Sequence, residues 1–222
     1  MEDSPISAFR VFSLISATLL ALSAAAPSEA SVRACGPVRV LDQSFDRPVN
    51  ASRPDQKRLS LAVTYFLNVE RCRRGLSPLQ PDARLQQAAA GHSSSMARRN
   101  FFSHKSPVRG QRSMADRLSK AGVRFRTAGE NIAQRKLYQL TGRAILIKAA
   151  TSCNMRYADT RQPVPRHTYR SLAKSAVTAW MNSAGHRHNI LNRSFGRVGT
   201  GLGINQAGAA CGTVYLTQNF AD

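Results

Sequence analysis

The sequence predicts an α+β domain, with helices early in the chain and a small antiparallel sheet at its end. Apolar residues recur at helical spacing between residues 55 and 121. Near the C-terminus, "RVGTGLGI" and "GTVYLTQNF" predict two strands joined by a Gly/Ala turn. The 222 residues show no internal repeat, and 42% of them are hydrophobic. This length and composition suit one globular domain whose helices and strands occupy separate parts of the chain.

The first thirty residues are predicted to be a signal peptide that precedes the domain. Residues 11–26, "VFSLISATLLALSAAA", form an apolar run of signal-peptide length that is short for a membrane span. Small residues place cleavage after Ala30, and a non-cleaved anchor is the alternative. Residues 31–55 are rich in Pro, Asp, Asn and Ser and predict an extended N-terminal arm. The domain is therefore expected to cover residues 56–222.

Three helices are predicted in the first half of the domain, each with its own start signal. The first begins after Asp55 and ends near Gly75. The second has Asp82 as its N-cap. The third, "SMADRLSKAG", begins with a capping box formed by Ser113 and Asp116.

The middle of the chain is less regular. Residues 123–128, "VRFRTA", alternate like an edge strand, and residues 171–183 predict a further helix. Residues 137–170 combine an apolar run, Cys153 and a Pro-rich tail. Free loops of this length are uncommon in compact domains, so we expect a long insertion held by a disulfide.

Four cysteines follow the predicted cleavage point: Cys35, Cys72, Cys153 and Cys211. An even number in an exported chain is typical of two disulfides, and the spacing alone leaves three connectivities open. No CxxC pair occurs, so neither a zinc ribbon nor a thioredoxin-type site is predicted. We expect Cys35–Cys72 and Cys153–Cys211, because each would tie a loop-rich segment to a regular element.

Several residues predict close packing. Gly199, Gly201 and Gly203 alternate on one strand, so one face lacks side chains and a helix is expected to lie close to the backbone. Trp180, the single tryptophan, is expected to fill the core between helix and sheet. His92 lies on the apolar face of the second helix and is expected to be a packed core histidine.

The chain is strongly basic, with 32 Lys and Arg against 12 Asp and Glu. The first thirty residues hold one base and three acids, so the remainder carries a formal charge of +22. Such an excess attracts polyanions such as nucleic acid, acidic glycans and anionic lipid head groups. The bases are scattered along the chain, so a solvated basic surface without a dedicated partner is the alternative.

Three segments occur in a characteristic order: "FFSHKSPVRGQRSMADRLSKAG", "GENIA" and "AVTAWMNSAGHRHNILNRSFGRVGTGLG". Together they resemble the bacterial branch of the CAP superfamily. These are SCP-like extracellular domains related to cysteine-rich secretory proteins, insect antigen 5 and plant pathogenesis-related proteins. The resemblance covers about residues 56–220, apart from the insertion. It implies an α-β-α sandwich in which helices cover both faces of a small antiparallel sheet.

The resemblance also implies a cleft. Members of the family usually carry two histidines and two acidic residues there, and three positions match. They are His104 in "SHKSP", Glu130 in "GENIA" and His186 in "SAGHR". The second acid normally follows the tryptophan, where this chain has no carboxylate. The absence of this second acid weakens the case for strong metal binding, or for acid–base chemistry that uses two histidines and two acids.

Three further residues are secondary cleft candidates. Asn182 and Ser183 follow the tryptophan and are polar substitutes for the missing acid. His188 forms a His-x-His pattern with His186, and such a pair in a loop can chelate a metal. One member of such a pair usually faces solvent instead.

Glu130 stands out on chemical grounds as well. Only two glutamates follow the predicted cleavage point, and Glu130 lies between Gly129 and Asn131 at the start of an apolar stretch. A partly buried carboxylate needs partners, and His104 and His186 are the expected ones. The three groups together suit a weakly held divalent metal (Zn or Mg), a structural hydrogen-bond network, or acid–base catalysis.

The sequence therefore predicts an exported, monomeric domain that binds a lipid, a glycan or a protein partner of the cell envelope. No HExxH-type ligand pair is present, and catalysis has the weakest support of the three roles. A metal-dependent hydrolase acting outside the membrane and a basic polyanion-binding protein are the alternatives. A specific nucleic-acid partner is not expected.

Overall fold

The computed structural model describes residues 41–147, 153–207 and 211–222. The predicted signal peptide, most of the predicted arm and Cys35 lie outside these ranges. No helix within them is both long and apolar enough to cross a bilayer.

In the part of the chain that the structure describes, five α-helices and six strands follow a short 3-10 turn at Gln43–Asp46. The helices are α1 (Gln56–Cys72), α2 (Ala83–Arg99), α3 (Met114–Lys120), α4 (Tyr169–Asn182) and α5 (Ala184–Leu191). The strands are β1 (Gln80–Pro81), β2 (Ala128–Lys136), β3 (Ile145–Ile147), β4 (Met155–Tyr157), β5 (Arg197–Asn205) and β6 (Thr213–Ala221).

The predicted helix starts are confirmed by their hydrogen bonds. The Asp55 carboxylate accepts from the N–H of Arg58, and Asp82 caps α2 in the same way. Ser113 and Asp116 form the full capping box, in which each side chain accepts from the other residue's backbone N–H. These caps satisfy donors that have no partner inside the helix, so the first turn of each helix is set by local sequence.

The main sheet has four strands in the order β1-β5-β6-β2. β1 pairs with β5 in parallel, whereas β5–β6 and β6–β2 are antiparallel. Helix α2 packs on one face, and α1 and α4 pack on the other. The fold is therefore the expected α-β-α sandwich, with the sheet as its middle layer.

The alternating glycines of β5 set the distance between α2 and the sheet. A Cβ atom added at Gly199, Gly201 or Gly203 would overlap the backbone of α2. Only a residue without a side chain permits this approach, which confirms the predicted close packing.

The opposite face holds the larger core. Trp180 of α4 is 1% exposed, and its Nε1–H donates to the carbonyl of Ile132 on β2 at 3.1 Å. Leu59 and Val63 of α1 and Leu202 of β5 complete this layer and are fully buried. The predicted role of Trp180 in the core is confirmed.

The edge strand predicted for residues 123–128 is wrong except at its last residue. β2 begins at Ala128 because its partner β6 ends opposite it, at Ala221. The preceding N–H groups of Arg126 and Thr127 instead donate to the Asp222 carboxylate at 2.9 and 3.2 Å. A side chain thus replaces the neighbouring strand that these residues would need.

The segment predicted as an insertion contains the small β3–β4 sheet. Cys153, which precedes β4, forms a disulfide with Cys211, just before β6. This confirms the second predicted pairing. Cys72 is also disulfide-bonded, and Cys35, its predicted partner, lies outside the described residues.

Candidate functional site

The candidate site is built around the Glu130 carboxylate on β2, whose side chain is 4% exposed. Its Oε1 accepts a hydrogen bond from His104 Nδ1 at 2.9 Å. Its Oε2 accepts from Arg117 Nη2 at 2.6 Å. The Asn219 amide is oriented so that its oxygen accepts from the N–H of Ala89 and its Nδ2 donates to Oε2 at 3.1 Å, which adds a third donor. Both carboxylate oxygens are therefore used inside the protein.

Three separate elements bring these groups together. Glu130 lies opposite Asn219 in the register of β2 and β6. Arg117 comes from α3, where it is 3% exposed, and His104 comes from the loop between α2 and α3. Arg117 Nη1 also donates to the carbonyls of Gln111 and Arg112 in that loop, at 3.1 and 3.3 Å. One buried guanidinium thus joins the helix, the sheet and the loop.

The electrostatics keep Glu130 ionised. Burial by itself raises the pKa of this carboxyl group, but the hydrogen bond from His104 and the charge of Arg117 outweigh it. The net result is a pKa below the usual value for glutamate. At neutral pH the site therefore contains a buried carboxylate whose charge is balanced within the fold.

As a consequence, the two ring nitrogens of His104 have different hydrogen-bonding roles. Because an ionised carboxylate only accepts, Nδ1 carries the proton that points to Glu130. The ring is 54% exposed, and no partner binds Nε2 within the described residues. In the neutral form of the ring, Nε2 is therefore an oriented hydrogen-bond acceptor at the surface.

His186 lies nearby but does not contact Glu130. It is half-buried on α5, and its carbonyl accepts from Asn131 Nδ2 at 3.3 Å. Burial, followed by the charges of His104 and Arg135, lowers the pKa of His186. The two imidazoles thus interact electrostatically, while the second strong partner of Glu130 is Arg117 and not the expected His186.

The secondary candidates do not join this network. Asn182 and His188 are exposed, and Ser183, at the junction of α4 and α5, makes no side-chain capping bond. The loop expected around His188 is wrong, since His186 and His188 lie within α5. Residues two apart on a helix point in different directions, so this pair is not arranged to chelate one ion.

His92 forms the buried floor beneath the loop that carries His104. It is 1% exposed, as predicted, and its Nε2 contacts the carbonyl of Ser103 at 3.0 Å. Burial and the charge of Arg117 lower the pKa of His92 to about 4. The ring is therefore neutral and donates from Nε2, which leaves Nδ1 buried with no hydrogen-bond partner in the described part of the chain.

Arg117 is the site residue that the motif comparison did not identify. A signal for it was present, because the apolar residues Met114 and Ala121 share its helical face at i−3 and i+4. An arginine on the apolar face of a short helix needs a buried acceptor. The nearest carboxylate in the later sequence that also lies in an apolar stretch is Glu130.

The observed donor set does not fit a three-ligand metal centre. Both oxygens of Glu130 are already bound by His104 and Arg117. Within residues 41–147, 153–207 and 211–222, no three His, Cys, Asp or Glu side chains are grouped so as to hold an ion. Of the predicted metal ligands, His104 Nε2 and His186 are the ones that make no hydrogen bond to Glu130 in the described residues.

Fold and site together define an α-β-α sandwich domain with a cleft of paired histidine and glutamate. The family model for the cysteine-rich secretory protein (CAP) family matches residues 64–220. The chain therefore belongs to the CAP family.

Individual relatives share less of their length with this chain. The Bacillus subtilis (strain 168) protein YkwD is 34% identical over 139 residues, which is 63% of this chain and 40% of that protein. The membrane protein YlbC of the same organism is 32% identical over 153 residues, or 69% of this chain and 31% of its own length. This chain thus spans less than half of either relative.

A solved structure agrees with the fold. It is an extracellular protein containing an SCP domain from Bacillus anthracis strain Ames, at 28% identity and a TM-score of 0.50. The similarity covers 74% of this chain and 40% of that structure.

Proposed function

We propose that the chain is an exported, non-enzymatic domain that binds a glycan component of the cell envelope through the cleft at His104. The observation that carries this proposal is that His104, Arg117 and Asn219 all donate hydrogen bonds to the Glu130 carboxylate, with Arg117 as its counter-charge. A carboxylate held in this way is a poor general base, because its proton affinity is low and its lone pairs are occupied. Its effect is to orient the His104 ring.

The exposed edge of that ring, which carries Nε2, suits recognition of hydroxyl or amide groups. Nε2 of the neutral ring accepts a hydrogen bond, and sugar hydroxyls and peptide N–H groups are donors. The fixed tautomer removes part of the ordering cost of binding, since Glu130 already holds the ring. Among the ligand classes suggested by the sequence, this chemistry favours a glycan of the envelope.

Export is supported by three independent features. The apolar run of residues 11–26 has the length of a signal peptide, and cleavage after Ala30 remains part of the proposal. The Cys153–Cys211 disulfide requires an oxidising compartment to persist. The similar Bacillus anthracis structure is described as extracellular.

The test compares binding of soluble peptidoglycan fragments by the wild-type protein, His104→Ala and His188→Ala. Both substitutions remove an exposed histidine, but only His104 belongs to the network around Glu130. We expect His104→Ala to weaken binding by at least about tenfold, the value of one hydrogen bond of about 1.4 kcal/mol. His188→Ala should bind like the wild type. Equal binding by all three proteins, or none by the wild type, would reject the proposal.

The same cleft is also the proposed site of a weakly held divalent metal. Such an ion would have His104 Nε2 and His186 as its side-chain ligands from the predicted set. Calorimetric titration with Zn²⁺ of the wild type, His104→Ala and His186→Ala tests this. Heat that is present in the wild type and lost in both variants supports a two-imidazole site, whereas a wild type without metal-dependent heat excludes it.

A further inference from the structure

The loop between α2 and α3 surrounds an open hollow of about 840 Å³ that is distinct from the contacts of Glu130. We call this hollow the loop pocket. Its lining combines apolar and cationic side chains. The apolar ones are Phe101, Pro107 and Val108, and the cationic ones are Lys105, Arg109 and Arg112. A volume of this size falls in the range of small-molecule sites.

The three cations of the loop pocket have no counter-charge. Within the described residues, no ion pair joins Lys105, Arg109 or Arg112 to a carboxylate. The sequence from residue 83 to residue 115 contains six bases and no acid. Two carboxylates with hydrogen-bond partners at this end of the fold are engaged elsewhere: Asp116 accepts from the N–H of Ser113, and Glu130 accepts from Arg117. Positive charge therefore accumulates around the hollow without an internal partner.

The backbone of the loop is held in shape. The N–H of Ser106 donates to the carbonyl of Arg112 at 2.9 Å and closes the loop on itself. The N–H of Val108 donates to Ser106 Oγ at 3.2 Å, and that of Gln111 donates to the Val108 carbonyl at 3.1 Å. The buried Arg117 then binds the carbonyls of Gln111 and Arg112. The pocket is thus formed before any ligand arrives, which lowers the ordering cost of binding.

We propose that the loop pocket binds an organic phosphate ester. Guanidinium groups match the geometry of phosphate oxygens, and the ammonium of Lys105 adds a point charge beside them. The apolar residues Phe101, Pro107 and Val108 provide contact for the carbon part of such an ester. An inorganic anion would leave this apolar side unused. The lining of the loop pocket does not include His104 or Glu130, and neither proposal depends on the other.

The experiment measures binding to vesicles of phosphatidylglycerol in phosphatidylcholine, with pure phosphatidylcholine as the reference. The pocket variant is Lys105→Gln/Arg109→Gln. The matched control is Lys57→Gln/Arg124→Gln, which removes one lysine and one arginine from exposed positions outside the loop. Both variants therefore have the same net charge, and all four side chains lack ion-pair partners in the described residues.

We expect the pocket variant to bind phosphatidylglycerol vesicles about 25-fold more weakly, because each basic side chain at an anionic surface contributes about fivefold. The control should change by less than about threefold. Equal losses in the two variants would mean that net charge alone drives binding, and this result would overturn the proposal. Absence of wild-type binding to any phosphate probe would overturn it as well.

Two soluble probes identify the source of the phosphate ester. Dihexanoyl phosphatidylglycerol carries short acyl chains, whereas glycerol 1-phosphate carries none. Tighter binding of the lipid probe, with the same loss in the pocket variant, supports a lipid head group as the ligand. Equal binding of both probes, again lost in the pocket variant, supports a water-soluble phosphate ester.

Discussion

The buried pair of Arg117 and Glu130 leads to a quantitative prediction for Arg117→Met. The side chains are 2% and 4% exposed, and Nη2 lies 2.6 Å from Oε2. Removing the cation leaves a buried carboxylate with weaker partners, and breaking a buried pair from one side costs about 3–5 kcal/mol. The carbonyls of Gln111 and Arg112 lose a donor at the same time. We expect the free energy of unfolding at pH 7 to fall by about 4 kcal/mol.

The same substitution should change the pH dependence of stability. In the wild type the pKa of Glu130 lies below its usual value, so the ion pair stabilises the fold at neutral pH and this contribution is lost in acid. In the variant, burial without Arg117 raises the pKa of this carboxyl group, and protonation then stabilises the folded state. The destabilisation by Arg117→Met should therefore be smaller at pH 4 than at pH 7.

The assay is urea unfolding followed by the fluorescence of Trp180, the single tryptophan, which is 1% exposed in the core. Arg124→Met is the matched control, because Arg124 is exposed and its side chain makes no ion pair in the described residues. The control should change stability by no more than about 0.5 kcal/mol. If Arg117→Met behaved like the control, or if its cost were the same at both pH values, the buried ion pair would not have the role assigned to it.

A double variant separates the charge from the shape of the site. Arg117→Met combined with Glu130→Gln removes both charges, so no buried ion remains unpaired. We expect it to recover part of the stability lost in Arg117→Met alone, since removing both partners costs less than removing one. A double variant that is less stable than Arg117→Met would contradict this account.

Three further predictions concern packing, titration and the disulfide. Gly201→Ala should destabilise the fold by about 1–3 kcal/mol in urea unfolding, because the methyl group overlaps the backbone of α2, whereas Gly91→Ala in an open position of α2 should stabilise it by about 0.5–1 kcal/mol. The free energy of unfolding of the wild type should fall by about 3 kcal/mol as the pH falls from 6.5 to 4, because His92 binds a proton in the unfolded chain but stays neutral in the fold. A pH series of His92→Gln should lack this slope. Cys153→Ser with Cys211→Ser should cost about 4 kcal/mol, as expected for opening a loop of 58 residues, and a non-reducing denaturation series that shows no loss would count against the disulfide.

Much of the architecture was accessible from short-range patterns. The caps at Asp55, Asp82 and Ser113 act within three residues of the helix start, so they are visible in the sequence. The glycines of β5 were equally informative, because an alternating gap in side chains has few explanations other than close packing. The strand predicted at residues 123–128 failed for the opposite reason, since alternation does not show whether a partner strand continues alongside.

In the site, too, local motifs predicted some contacts and missed others. Local motifs predicted that His104 and Glu130 would share a cleft, and the two side chains are in contact. They did not indicate that Arg117, from a third element, would bind the other oxygen of Glu130. They also placed His188 in a loop, although it lies in a helix.

By itself, the sequence determined the family, the first three helices and the two C-terminal strands, the basic charge and the candidate histidines, because each depends on residue type and local spacing. The tertiary structure alone decided which charges neutralise one another and which remain exposed. Those pairings join residues from different elements, such as Arg117 with Glu130, and depend on how the sheet and helices pack. The free ring face of His104 and the unpaired cations of the loop pocket follow from that packing.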